Sequence, residues 1–89
     1  MATLFVRHTV SNYDAWKKEY DAFDATRKSM GVTSHGVYQA AGNPNDITIY
    51  HEFDSQEAAQ AFTQSAELRE AMGRAGVVGA PDIWITQRV

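Results

Sequence analysis

Three histidines, His8, His35 and His51, are the side chains of this 89-residue chain best suited to moving a proton. No other residue type present titrates so near neutral pH, and the absence of cysteine removes thiolate nucleophiles, disulfides and the usual structural zinc sites. All three histidines fall in segments that read as β-strand. If a hairpin pairs His35 opposite His51, the two imidazoles lie side by side on one face of a sheet, and His8 joins them where the first strand neighbours the third. Such a row of three could relay a proton or hold a metal, although no metal ligand set is assigned. His51 is the first catalytic candidate because it shares a face with Ile47, Ile49 and Phe53, where desolvation lowers the pKa of an imidazole and keeps it a neutral base. His35 and His8 would then orient or relay the proton. The alternative for each is an ordinary strand histidine, either hydrogen-bonded in a core or exposed.

A second set consists of Arg7, Tyr38, Tyr50 and Glu52. Alternation allows Arg7 and Glu52 to pair across the first and third strands as a surface ion pair. Should a carbonyl or enolate bind nearby, Arg7 and Tyr50 would stabilise its developing charge, while Phe53 and Tyr38 would shape the pocket. Trp16, Tyr20, Phe23 and Trp84 are either core or the wall of a pocket for a flat ligand. The candidate substrate-binding residues are therefore Phe53, Tyr38, Tyr50, Arg7 and Trp84.

The elements that must position these residues follow a definite order. Residues 4–10 alternate as a strand, Ser11 or Asn12 caps a helix, and Tyr13, Trp16, Tyr20, Phe23, Arg27 and Met30 form one stripe along it until Gly31. Residues 32–40 and 46–53 read as a hairpin around a turn at 41–45, whose Gly42, Asn43, Pro44 and Asn45 favour reversal. Asp54 or Ser55 caps the next helix, with Glu57 placed for a capping box on Asp54. A second cap at Ser65 starts a further helix that ends at Gly76. Residues 79–81 read as a turn and 83–89 as a closing strand. Strand, helix, strand, strand, helices, strand is the order of a ferredoxin-like split βαβ unit, an α+β fold with an antiparallel four-stranded sheet. Helices cover only one face of such a sheet, yet both sides of these strands carry large apolar residues. A second copy packed face to face is the expected cover, which makes the chain one domain, residues 1–89, of a homodimer.

Composition bounds the function. The chain is 44% hydrophobic and 21% charged, with a net charge of −3 and no basic run, so a nucleic-acid partner is not expected. Its apolar stretches fall far short of the roughly 20 residues needed to span a bilayer, and the first residues lack the pattern of a signal peptide. A cytoplasmic protein without a membrane partner is expected.

The segments Phe5-Val6-Arg7-His8, Ile49-Tyr50-His51-Glu52-Phe53-Asp54-Ser55-Gln56-Glu57-Ala58 and Leu68-Arg69-Glu70-Ala71-Met72, with Trp16 on the first helix, resemble the dimeric α+β barrel superfamily. The likeness is to its small domains related to antibiotic biosynthesis monooxygenases. The resemblance implies a pair of ferredoxin-like subunits and a pocket between sheet and helices or along the dimer face. It also implies an enzyme without an organic cofactor, acting by oxygenation, cyclisation or isomerisation on a hydrophobic, aromatic or polyketide-like molecule. Phe53 stands where oxygenase-like members carry Trp, and the region 65–75 lacks the axial His of haem-degrading members. A non-catalytic dimeric module that binds a small ligand or partner is the second reading.

Overall fold

The computed structural model describes residues 1–89. Its elements are β1 (Ala2–Val10), α1 (Tyr13–Ala22), α2 (Asp24–Ser29), β2 (Val32–Ala40), β3 (Asn43–Phe53), α3 (Gln56–Thr63), α4 (Ala66–Ala75) and β4 (Val77–Gln87). The four strands form one antiparallel sheet in the order β2-β3-β1-β4, as the split βαβ reading requires. All four helices pack on the same side. Alternation therefore sends Leu4, Val6, His8 and Val10 of β1, and Ile47, Ile49, His51 and Phe53 of β3, into a core with Trp16, Tyr20, Phe23 and Phe62 from the helices.

Local chemistry sets the helix boundaries. The Asn12 side chain accepts from the Ala15 amide to start α1, the Ser55 hydroxyl accepts from Ala58 to start α3, and the Ser65 hydroxyl accepts from Leu68 to start α4. Because Ser55 is the cap, Glu57 does not stand three residues beyond it, and the capping box expected on Asp54 is not made. Gly76 closes α4 in the left-handed region at φ 78°, where a side chain would be strained and a Cβ would meet the Ser11 hydroxyl.

Three expectations about continuity are corrected. The stripe from Tyr13 to Met30 is two helices, since the chain turns at Phe23 between α1 and α2. The stripe nevertheless survives the turn, and Tyr20, Phe23 and Arg27 all stay inward. The hairpin turn is shorter than 41–45: β3 begins at Asn43, leaving Ala41 and Gly42 between the strands. The turn expected at 79–81 lies inside β4, which runs unbroken from Val77 while its pairing with β1 shifts between Arg7 and Thr9. Gly79-Ala80-Pro81 thus bulges out opposite His8, with Gly79 at φ 72°. An edge strand tolerates this proline because its missing N–H faces no neighbour.

The sheet's other side is bare of helices. Phe5 stacks on Trp84 with ring centroids 5.6 Å apart, and Tyr38 leans on Tyr50 at 6.3 Å. Tyr38 is 62% exposed and Trp84 45% exposed. Tyr50 also lies across Gly36, where any Cβ would collide with its ring.

Replacing Ser65 by Ala is expected to lower unfolding free energy by about 1 kcal/mol, through loss of the α4 cap. Chemical denaturation checks this, with Ser65→Asp retaining most of the stability because a carboxylate caps as well as a hydroxyl.

Candidate functional site

The site lies between the sheet and the helices. A narrow cavity of about 50 Å³ there is bounded by His8, His51, Val6 and Ile49 from the sheet, Trp16, Tyr20 and Phe23 from the first helical stripe, and Arg27 from α2. Glu19 of α1, Phe62 of α3 and Leu68, Ala71, Met72 and Ala75 of α4 complete the wall. The lining is almost wholly apolar, so the few polar groups that reach it decide what it can hold.

His35 and His51 are directly opposite each other in the β2–β3 ladder, and their rings stack at 6.2 Å between centroids. His8 does not complete a row. It faces Ile47, whereas the residue facing His51 on β1 is Leu4, and its ring instead meets the edge of Trp16 at 5.7 Å. His8 and His51 thus line one cavity from two places. No cluster of three or more His, Asp or Glu side chains converges as a metal site would require.

Burial governs these imidazoles. His51 is 4% exposed and lies against Phe62, and the loss of water, followed by the positive Arg27 and then His35, pushes its pKa down to about 3. Desolvation alone depresses His8. Both are neutral over the physiological range, and neither ring nitrogen of either residue has a hydrogen-bond partner in the protein. Each neutral ring therefore keeps one donor and one acceptor that the protein leaves unanswered.

His35 is differently placed. Its Nδ1 lies 2.6 Å from the Tyr20 hydroxyl and its Nε2 lies 3.4 Å from Asp24 Oδ1. Burial raises the Tyr20 pKa to about 12, which keeps the phenol protonated, and desolvation followed by Arg27 lowers the pKa of His35. The arrangement matches a tautomer with its proton on Nε2 toward Asp24 and its Nδ1 lone pair receiving the Tyr20 O–H. Arg27 closes the circuit: its guanidinium sits 3.9 Å from the centre of the Tyr20 ring, donates to the Tyr20 carbonyl at 2.7 Å, and reaches Asp24 Oδ1 at 3.3 Å.

The residues expected to form one site are thus divided by the sheet. His8, His51, Trp16, Tyr20 and Phe23 line the cavity, with His35 at its edge through Tyr20. Phe53 is fully buried against Phe62 and does not line the cavity. Tyr38, Tyr50, Arg7 and Trp84 project from the opposite face. The expected Arg7–Glu52 pair does not form, because Glu52 stands opposite Thr3, and Arg7 holds Asp46 in a two-pronged bond at 2.7 and 3.1 Å. The sequence reading placed Tyr20 and Arg27 on the stripe without giving Arg27 or Asp24 a role. The signal was there: a charged residue at an inward position of an apolar stripe.

A family model for antibiotic biosynthesis monooxygenases matches residues 5–74. The chain belongs to that family. Solved structures share the fold of this family member across nearly its whole length. One, from Bordetella bronchiseptica and provisionally named as such a monooxygenase, superposes with TM-score 0.84 at 13% identity, over 99% of this chain and 96% of that one. A Nitrosomonas europaea protein with the same provisional name gives TM-score 0.79 at 15% identity, over 100% and 99%. SnoaB from Streptomyces nogalater, described as a cofactor-independent oxygenase, gives 0.76 at 11% identity, over 99% and 94%. At these identities the likeness establishes the fold. No curated protein sequence matches, and no helix of this family member is long and apolar enough to cross a membrane.

The sign of the pH dependence follows from the depressed histidines. An unfolded chain takes up a proton at His51 near 6.5, whereas the folded chain resists to about 3. The stability held above pH 6.5 is therefore lost as pH falls toward 3, with a slope on the order of 1 kcal/mol per pH unit from this residue. Denaturant midpoints measured across that range should decline, and His51→Leu should flatten the decline.

Proposed function

We propose that the chain is a small enzyme needing no organic cofactor, which binds a hydrophobic, aromatic or polyketide-like molecule in the cavity and removes a proton from it. The observation that carries this reading is the pair of buried neutral imidazoles, His8 and His51, whose ring nitrogens all lack protein partners. Leaving such groups unpaired costs about 1–3 kcal/mol each, and a fold tolerates that where a ligand uses them. Oxygenation, cyclisation and isomerisation of this substrate class all begin by forming an enolate or phenolate, so one proton acceptor in a dry, flat-walled cavity serves any of them.

His51 is the proposed base. Its low intrinsic affinity for a proton in a dry site rises when a substrate anion forms beside it, because the imidazolium then gains a counter-charge. Tyr20, held by His35 and backed by Asp24, supplies a fixed phenol at the cavity wall and a hydrogen-bonded route toward the half-exposed His35. Stacking surfaces on Trp16 and Tyr20, whose rings lie 5.0 Å apart, suit a planar ligand. The non-catalytic dimeric module that binds a small ligand or a partner is the second reading, and the exposed aromatic face of Tyr38 and Trp84 supports its partner-binding form.

The working form proposed is a homodimer in a compartment such as the cytoplasm. Support comes from the helix-free face, where Phe5, Trp84, Tyr38 and Tyr50 offer aromatic surface that a second copy of the same sheet would cover. Arg7, Tyr38, Tyr50 and Trp84 then act at that interface rather than on substrate.

Proton removal is tested by following exchange of the acidic C–H of 1-indanone and anthrone into D2O. Exchange accelerated by the protein, and reduced at least 100-fold in His51→Gln with unchanged unfolding temperature, is the expected result. Exchange at the uncatalysed rate with both ketones, together with ligand-induced shifts of the His51 ring, would instead favour the binding module. For the dimer, sedimentation should give twice the chain mass, and Trp84→Arg should shift it toward one chain.

A further inference from the structure

Beside the four imidazole nitrogens of His8 and His51, one further buried polar atom at the cavity lacks a partner in the protein, the Nε of Arg27. Arg27 is 2% exposed, its Nε has no partner in the protein, and its side chain forms part of the cavity wall. The two terminal nitrogens are committed to the Tyr20 carbonyl and to Asp24. Asp24 is shared with Lys28 at 3.2 Å and with His35, and it stands 40% exposed, so its countercharge is spread outward while the guanidinium is buried. Glu19 is the only carboxylate on the cavity wall, at the rim, and Arg74 of α4 engages it at 3.5 Å.

The balance of donors and acceptors decides the ligand. Two neutral imidazoles bring one donor and one acceptor each, and the Arg27 Nε–H adds a donor with no matching acceptor, together with a buried positive charge. A neutral hydrocarbon answers neither, and a neutral ketone accepts from the Nε–H but leaves the buried charge without a counter-charge. We infer that Arg27 is a specificity-determining residue that selects a flat ring bearing one anionic oxygen, a carboxylate or a phenolate, over its neutral counterpart. This inference rests on the cavity being the binding site and adds the substrate's charge to that reading. It also gives the proposed base its partner, since an oxyanion beside Arg27 offsets the charge that disfavours a proton on His51.

The test compares matched probes on the whole protein, read from the His8 and His51 ring signals by NMR. Benzoate is set against benzamide for the carboxylate, and 4-nitrophenolate against 4-nitroanisole for the phenolate. At least one anion should bind about tenfold more tightly than its neutral partner, and which pair shows the preference tells carboxylate from phenolate. In Arg27→Met the preference should fall to within about twofold, whereas Arg27→Lys, which keeps the charge without the planar fork, should retain part of it. For 4-nitrophenol, visible absorbance should show ionisation at lower pH when bound to the native chain than when bound to Arg27→Met. That readout is one a purely structural arginine would not move. Should Arg27→Met fail to fold, the native comparison and Arg27→Lys still decide. Equal binding of anion and neutral partner overturns the inference while leaving the cavity as the site. Binding of none of the four probes overturns both.

Discussion

A buried guanidinium organises this molecule. Arg27 lies under the Tyr20 ring, holds the Tyr20 carbonyl and reaches Asp24, Asp24 approaches His35, and His35 takes the Tyr20 hydroxyl. Four side chains from α1, α2 and β2 thereby close on one another. Tyr20 belongs to α1 and Arg27 to α2, so their contact spans the turn at Phe23. The arrangement fixes the Tyr20 ring as a wall of the cavity, because a phenol held at both its hydroxyl and its backbone carbonyl has little freedom left. Burying the arginine is tolerable only because its hydrogen bonds and the aromatic face replace part of its lost hydration.

The sheet imposes the second constraint by giving each residue one of two sides. A period of two means that His51 and Tyr50, adjacent in sequence, work in different environments. On the helix side the environment is dry, and imidazoles there lose their charge. On the other side ionic and aromatic contacts stay near water, as Arg7 with Asp46 and Phe5 with Trp84 show. Roles that look joint when residues are read along the chain are therefore separate in space. The cavity and the aromatic face are two sides of one sheet.

The legibility of the sequence follows the same division. Alternation and helical stripes are local signals, and they were enough for the element order and the split βαβ fold, while the pairing of His35 with His51 was one register the hairpin allowed and the structure adopts. The cap at Ser65 and the glycine stop at Gly76 were likewise readable from residue type, and the first cap was narrowed to Ser11 or Asn12, of which the structure uses Asn12. What failed needed long-range register. His8 looked like a neighbour of His51 because both lie at similar depths from their strand starts, yet antiparallel pairing sets Leu4 opposite His51 and leaves His8 opposite Ile47. The same register gives Arg7 to Asp46 and not to Glu52. Gly79-Ala80-Pro81 has turn chemistry, and it was spent on a bulge inside β4, a distinction that depends on whether β1 continues alongside. Arg27 was seen as one more position on a stripe, since spacing alone does not tell a long side chain that snorkels to water from one that stays beneath its neighbours.

The small volume of the cavity bears on how a ligand would enter. About 50 Å³ exceeds the space one water needs, roughly 10–15 Å³, and falls well short of a fused aromatic system. The sheet side of the cavity is fixed by ladders of backbone hydrogen bonds, so room must come from the helix side. There α4 meets α1 through side chains and the exposed Glu19–Arg74 pair, a contact worth little at a solvated surface. The residues α4 gives to the wall, Leu68, Ala71, Met72 and Ala75, are small or flexible, and Met in particular repacks at low cost. The opposite wall, Trp16 and Tyr20, is stacked and hydrogen-bonded. Of these two walls, the one that α4 supplies is therefore held by the weaker contacts, and the polar groups lie on the sheet and on α2. The cavity thus has one wall held by ladder hydrogen bonds, where its few polar groups lie, and one yielding wall that is almost wholly apolar.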